Sequence, residues 1–302
     1  SDLYENHAMN HIYKLKFDKR RNELVVVSEI TPGLGKVKST GTTPSPVSTV
    51  YRKGRTLKLS LLSGMMLMTH SVMAANLPTG GQIVAGSGSI QTPSANQMQV
   101  HQNTQNMVTN WHSFDIGAGH SVQFFQPDSS AVALNRVTGG SESKIMGNLS
   151  ANGQVFLVNP NGMLFGKGAS VNTAGFVAST RDIKSEDFMK GQYTFSEGAK
   201  AGAEIINQGN LTTAPGGYIV LAADRVKNNG TILTPGGKAV LAAGETVTLQ
   251  LDRSGLTSVQ ASGDVVNALV ENSGLVSATN GQVYLTALGK NMLLNTVLNV
   301  SG

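Results

Sequence analysis

A short apolar motif recurs through the second half of the chain at a near-constant interval, and no other feature narrows the fold as far. Gly217-Tyr218-Ile219-Val220-Leu221-Ala222-Ala223 returns as Gly237-Lys238-Ala239-Val240-Leu241-Ala242-Ala243 twenty residues later. It returns as Gly281-Gln282-Val283-Tyr284-Leu285-Thr286-Ala287 after forty-four more, read as two steps of twenty-two. An earlier copy, Gly153-Gln154-Val155-Phe156-Leu157, lies sixty-four residues before Gly217, about three steps. A period of 20–22 residues is that of a solenoid.

Strand alternation sorts the repeated side chains onto two faces. One carries Val155/Leu157, Ile219/Leu221/Ala223, Ala239/Leu241/Ala243 and Val283/Leu285/Ala287, all apolar. The other mixes Phe156, Tyr218, Lys238 and Tyr284 with Val, Ala, Gln and Thr, and is expected to point outward. Coils stacked about 4.8 Å apart would bury the first set in continuous ladders. Leu221, Leu241 and Leu285 are then equivalent interior positions, and each buried Leu or Val stabilises by about 1.5–3 kcal/mol before ordering entropy.

Asn207-Gln208-Gly209, Asn228-Asn229-Gly230 and Asn272-Ser273-Gly274 recur at one offset before the strands. They read as coil corners where Asn and Gly accept positive φ, with Asn side chains stacked along the axis. A leucine-rich repeat needs denser Leu and more helix, and a propeller needs longer repeats. The expected fold is all-β, a parallel β-helix. The sparse charge (14 %) and 35 glycines agree with a turn-dense β protein. One helical turn is expected at Ser185-Glu186-Asp187-Phe188-Met189-Lys190-Gly191, with Ser185 as cap, on a loop leaving the solenoid.

The front of the chain reads differently. Residues 1–8 precede a candidate initiator, Met9, and are taken as a tag or upstream sequence. Arg52, Lys53, Arg55 and Lys58 lead into an apolar run from Leu59 to Val72, and small residues follow. That is a signal peptide, residues 51–75, cut after Ala74 or Ala75. The run of about fourteen residues is too short for a stable span of ~30 Å of hydrocarbon. Residues 9–50 form a basic amphipathic stretch and a Thr/Gly/Ser/Pro-rich linker.

Charge follows this division. Residues 1–74 hold eleven Lys/Arg and five Asp/Glu, net +6, whereas 75–302 hold twelve and thirteen, net −1. The basic pI therefore belongs to the leader, and no nucleic-acid partner is expected. Cysteine is absent, which excludes disulfides and suits a chain threaded through a membrane unfolded.

Several blocks from residue 76 onward carry a family likeness. They are Leu77-Pro78-Thr79-Gly80-Gly81, Asn110-Trp111-His112-Ser113-Phe114-Asp115-Ile116-Gly117 and Asn135-Arg136-Val137-Thr138-Gly139-Gly140. Asn159-Pro160-Asn161-Gly162 and Gly175-Phe176-Val177-Ala178-Ser179-Thr180 complete the order. Together they resemble the two-partner secretion domain of filamentous-haemagglutinin-type exoproteins, and residues 9–50 resemble those proteins' extended signal region. The resemblance implies a right-handed parallel β-helix with an N-terminal cap and extra-helical strands over residues 76–302, and no cofactor, nucleotide or metal. It also implies export by the inner-membrane machinery, signal peptidase, and capture by an outer-membrane β-barrel transporter with periplasmic POTRA domains. The implied location is secreted or cell-surface, by way of a Gram-negative periplasm. The parent would be a haemagglutinin or adhesin, with this domain a template for the repeats that follow.

The segment Asn159, Pro160, Asn161 and Gly162 is the candidate recognition site. Turn chemistry makes it a type I corner, and the resemblance adds a secretion role. A polysaccharide-cleaving β-helix is the rival class, but it requires clustered carboxylates. The acids Asp115, Asp128, Glu142, Asp182, Glu186 and Asp187 are scattered, and His101, His112 and His120 lack metal-ligand spacing. A free-standing glycan-binding adhesin using Phe156, Tyr218 or Tyr284 is the other alternative.

Overall fold

The computed structural model describes residues 13–18, 23–28, 75–290 and 298–300, with side-chain surroundings for 75–290. The chain divides into two units, Ser1–Met68 and Thr69–Gly302. In the first, Tyr13–Asp18 pairs antiparallel with Glu23–Ser28. The sequence alone reads this stretch only as basic and amphipathic, although Tyr13, Leu15 and Phe17 alternating with Lys14 and Lys16 have a strand's period. The apolar signal run and Ala74 lie outside the described residues.

The second unit is a parallel β-helix of three sheets. The first face has eight strands, beginning Gln82–Ala85, Asn106–Trp111, Val132–Val137 and Gln154–Val158. Gly175–Ser179, Tyr218–Ala222, Lys238–Ala243 and Gln282–Ala287 continue it. The second face also has eight strands, from Gly88–Ser94 to Leu275–Ser277. The third has six, from Ser143–Ile145 to Leu298–Val300. Pairing from coil to coil is parallel, whereas at the capped start Gln82–Ala85 pairs antiparallel with Asn106–Trp111, and Gly88–Ser94 with Gln97–Gln102.

The interior row is the expected one. Leu157, Ala178, Leu221, Leu241 and Leu285 are successive register partners. Leu221 and Leu241 are fully buried, and Leu285 only partly, because its strand is the edge of its sheet. The Asn column is also present: Asn207 Nδ2 donates to Asn228 Oδ1, and Asn228 Nδ2 to Asn272 Oδ1, each at 2.8 Å.

The glycines beside that column are needed for another reason than the one expected. Gly209, Gly230 and Gly274 do not have positive φ; a Cβ on Gly230 would lie 2.2 Å from the Gly209 carbonyl oxygen. Stacked backbones leave no room there for a side chain. Positive φ occurs at the opposite corner, at Gly216, Gly236 and Asn280.

The coil count differs from the sequence reading. Ala239 pairs directly with Val283, so the forty-four residues from Gly237 to Gly281 are one coil, not two. The excess is a hairpin, Thr246–Asp252 with Gly255–Ser262, that leaves the solenoid. The sixty-four residues from Gly153 to Gly217 are likewise two coils, since Val155 pairs with Phe176 and Phe176 with Ile219. Here the detour contains the helix Ser185–Met189 and the strand Tyr193–Phe195. That strand pairs antiparallel with Thr246–Asp252, joining both detours in one extra-helical sheet.

This sheet covers the outer side of the first face and makes a second core. Phe156 and Tyr218, expected outside, are buried with Val220, Val240, Phe188 and Phe195. Phe156 meets Phe188, Tyr193 and Phe195 at ring-centroid distances of 5.4–5.8 Å. Tyr218 lies across Gly175, where a Cβ would fall 2.5 Å from its ring, and donates to Gln154 Oε1. Burial pushes its phenol well above the ordinary range. Lys238, expected to point freely outward, is half-buried and donates to the Leu256 carbonyl, tying down the hairpin. Tyr284 alone of the three aromatics is exposed, at 45 %.

Candidate functional site

The family-like blocks come together at one edge of the solenoid. Asn110, Arg136, Val158 and Ser179 are consecutive register partners near the ends of first-face strands. The blocks therefore stack on four successive coils, where the chain turns from the first face to the third.

Residues 159–162 form the corner of the third of these coils. Gly162 N donates to the Asn159 carbonyl at 3.1 Å, closing the turn, and Gly162 has φ +106°. Asn159 is fully buried; its Oδ1 accepts from Asn161 N at 2.9 Å, and its Nδ2 donates to Ser143 Oγ at 2.9 Å and Ser141 O at 3.0 Å. Asn161 Nδ2 donates to Gly139 O at 2.9 Å. From the other side Lys200 N donates to Pro160 O at 3.0 Å. The Asn159 and Asn161 amides thus hold the corner to the Gly139 loop beneath it. Pro160 and Asn161 remain partly exposed.

The neighbouring blocks act as clasps. Trp111 Nε1 donates to the buried Asn135 Oδ1 at 3.0 Å, and Thr79 and Ser113 exchange backbone and hydroxyl hydrogen bonds that seat the cap. Arg136 Nε donates to both Asp182 oxygens, at 2.9 and 2.8 Å. Its Nη groups reach Asn110 Oδ1, Ser185 Oγ and the Ile183 carbonyl. Ser185 is therefore an acceptor for Arg136 and makes no capping bond, contrary to expectation. Asp224 closes the neck of the first detour. Its Oδ1 accepts from Arg181 Nη2 at 2.9 Å where the chain leaves, and its Oδ2 accepts from Gly202 N at 3.0 Å where it returns. Sequence reasoning assigned no role to Arg136, Arg181 or Asp224.

The remaining candidate acids are dispersed. Asp115 accepts from Lys144 N at 2.7 Å, and burial raises its pKa. Exposed Asp128 binds Ser130 and Gln105, whose hydrogen bonds lower its pKa. Glu142, Glu186 and Asp187 lie at the surface or near it. His101 stacks on Phe125, His120 meets the Ala118 carbonyl, and His112 is exposed. Among the described residues no group of three or more His, Cys, Asp or Glu could hold a metal.

A capped, three-faced β-helix whose motif residues are spent on clasping coils and an outer layer is built as a structural scaffold. Comparison gives its family. Residues 74–302 match the model of the TPS secretion domain, and residues 9–54 match that of the extended signal peptide of the type V secretion system. The chain belongs to the two-partner secretion family and is the N-terminal secretion module of an exoprotein exported through a Gram-negative periplasm. It is similar to the Heme/hemopexin-binding protein of Haemophilus influenzae strain Rd, 37 % identical over 212 residues, covering 66 % of this chain and 23 % of the relative. A second Haemophilus influenzae protein of that name is 38 % identical over 147 residues, 47 % of this chain and 16 % of the relative. The chain thus spans a quarter or less of the length of these relatives. Among solved structures, the HMW1 secretion domain from Haemophilus influenzae matches with a TM-score of 0.64 at 34 % identity, over 69 % of this chain and 55 % of that one. None of these names is that of an enzyme.

Proposed function

We propose that the corner at Asn159, Pro160, Asn161 and Gly162 is part of the surface by which a cognate outer-membrane β-barrel transporter captures this chain through its periplasmic POTRA domains. The observation that carries this reading is a corner fixed from both sides while Pro160 and Asn161 stay partly exposed. Inner-membrane export and signal peptidase act first, and the folded coils then template the repeats of a longer adhesin-type exoprotein. No catalytic step is assigned to the domain.

Asn161→Ala tests the corner. The variant loses the bonds from Asn161 Nδ2 to Gly139 O and Asn159 Oδ1, a cost of about 1 kcal/mol each. Its circular dichroism spectrum should stay β-type, while secretion from cells carrying the transporter slows and binding to the purified periplasmic domains weakens. Binding should be measured on partly unfolded chain as well, since capture precedes completed folding. Unchanged export and binding would leave the segment a structural corner only. Equal export from cells lacking the transporter would overturn the capture mechanism itself.

The leader supplies a separate expectation. Residues 1–74 or 1–75 are proposed to be absent from the exported protein, with the signal peptide ending at Ala74 or Ala75. Sequencing of the exported protein should then start at Ala75 or Asn76, and a start near Met9 would refute the assignment.

A further inference from the structure

The outward side of the second face carries no formal charge and is polar over most of its length, with Leu233 and exposed Leu275 apolar at its C-terminal end. Val122, Leu149, Val171, Leu211 and Ile232 of its strands point into the core and are fully buried or nearly so. Alternation therefore turns Ser121, Asn148, Ser170, Asn210 and Thr231 outward in one register row. Gln123, Ser150, Asn172, Thr212 and Leu233 make the next. Gln91 and Gln99 continue that second row into the cap strands. With eight strands about 4.8 Å apart, the rows extend over about 34 Å. The outward side of the third face is different, with Lys144, Glu204, Arg225, Lys227 and Glu271.

Two further features point to a ligand. On the strands Asn148–Ala151, Ser170–Thr173 and Asn210–Thr213, only one outward polar group, Thr212 Oγ1, is spent within the described residues; it donates to Val171 O at 3.1 Å. The inward Asn column is by contrast bonded to itself. Next to these amides and hydroxyls, His101 and Phe125 on adjacent strands stack with centroids 4.8 Å apart and planes 9° from parallel. Phe125 is 37 % exposed, so an aromatic platform stands at one end of the hydrogen-bonding rows.

The chemistry of the face selects among partners. Nucleic acid and anionic lipid are held by Lys and Arg, and none is on it. Protein hot spots rest on Trp, Tyr and Arg, also missing from these rows. An uncharged, extended polymer rich in hydroxyl groups needs no ion pair. It can exchange hydrogen bonds with successive amide and hydroxyl side chains and lay a ring against an aromatic face. We propose that this face binds a neutral polysaccharide lying along the solenoid axis.

The test uses the full chain on sensor surfaces carrying immobilised galactomannan, xyloglucan or dextran, with a carboxymethylated dextran for comparison. Binding to at least one neutral polymer is expected, with Phe125→Ser and Asn172→Lys each weakening it tenfold or more. Lys144→Gln, on the third face, should leave it within twofold. Retained β-type circular dichroism in the variants would tie any loss to the surface. No binding to any neutral polymer, preference for the charged one, or equal binding by the Phe125 and Asn172 variants would overturn the proposal. So would sedimentation showing a dimer that Asn172→Lys dissolves, because the face would then belong to a second copy.

Discussion

Leu241→Asp should abolish the folded β-helix at ambient temperature. Leu241 is fully buried between Leu221 and Leu285 in a row whose members are apolar. A carboxylate there finds no cation or donor and either stays charged at high cost or takes up a proton. With the lost apolar contacts, the penalty is roughly 5 kcal/mol or more, comparable with the whole stability of an ordinary domain. Leu241→Met, which conserves volume, should cost less than about 1.5 kcal/mol. Denaturant unfolding of both variants checks the assignment; a Leu241→Asp protein as stable as the parent would mean that the inward row is wrong.

Asp224→Ala should be the most damaging change at the clasped edge. The Asp224 and Arg181 side chains are only 7 % and 17 % exposed, and removing one partner of a buried pair costs about 3–5 kcal/mol. The loss also frees Gly202 N, so both ends of the first detour are released together. Limited proteolysis should therefore cut the variant between residues 182 and 203 well before the coils themselves. Asp224→Asn keeps an acceptor and should show a smaller effect. A digestion pattern identical to that of the parent would show that the neck does not depend on this carboxylate.

The two cases differ in how legible they were. Leu241 could be placed from its neighbours two residues away and its copies at fixed spacing, because strand alternation and coil stacking are both periodic. The Asn column followed from the same arithmetic. The detours did not, because the hairpin detour is about one coil long. One coil with a detour then has nearly the length of two plain coils, and forty-four passes for twice twenty-two. Missing the detours hid the second core, so Phe156 and Tyr218 could only be read as outward aromatics. Arg136 and Asp182 are forty-six residues apart, Arg181 and Asp224 forty-three, separations at which no local pattern pairs charges. The corner at residues 159–162 was read correctly as a turn; its bonds to Ser141, Ser143 and Gly139 lie one coil back and were not visible.

The detours also set a timetable. Interior rows join residues about one coil apart, such as Val155 with Phe176 and Ile219 with Ala239, so these coils can close on the last as soon as they are available. The outer sheet joins Tyr193 to Leu249, fifty-six residues apart, and its closure requires far more chain. In a chain delivered from its N-terminus, Val220 and Val240 would pair before Val247, Leu249 and Leu256 of their shared core have arrived. Until residue 262 has arrived, the growing solenoid carries an apolar flank open to solvent. Whatever meets the chain before then would meet that flank uncovered.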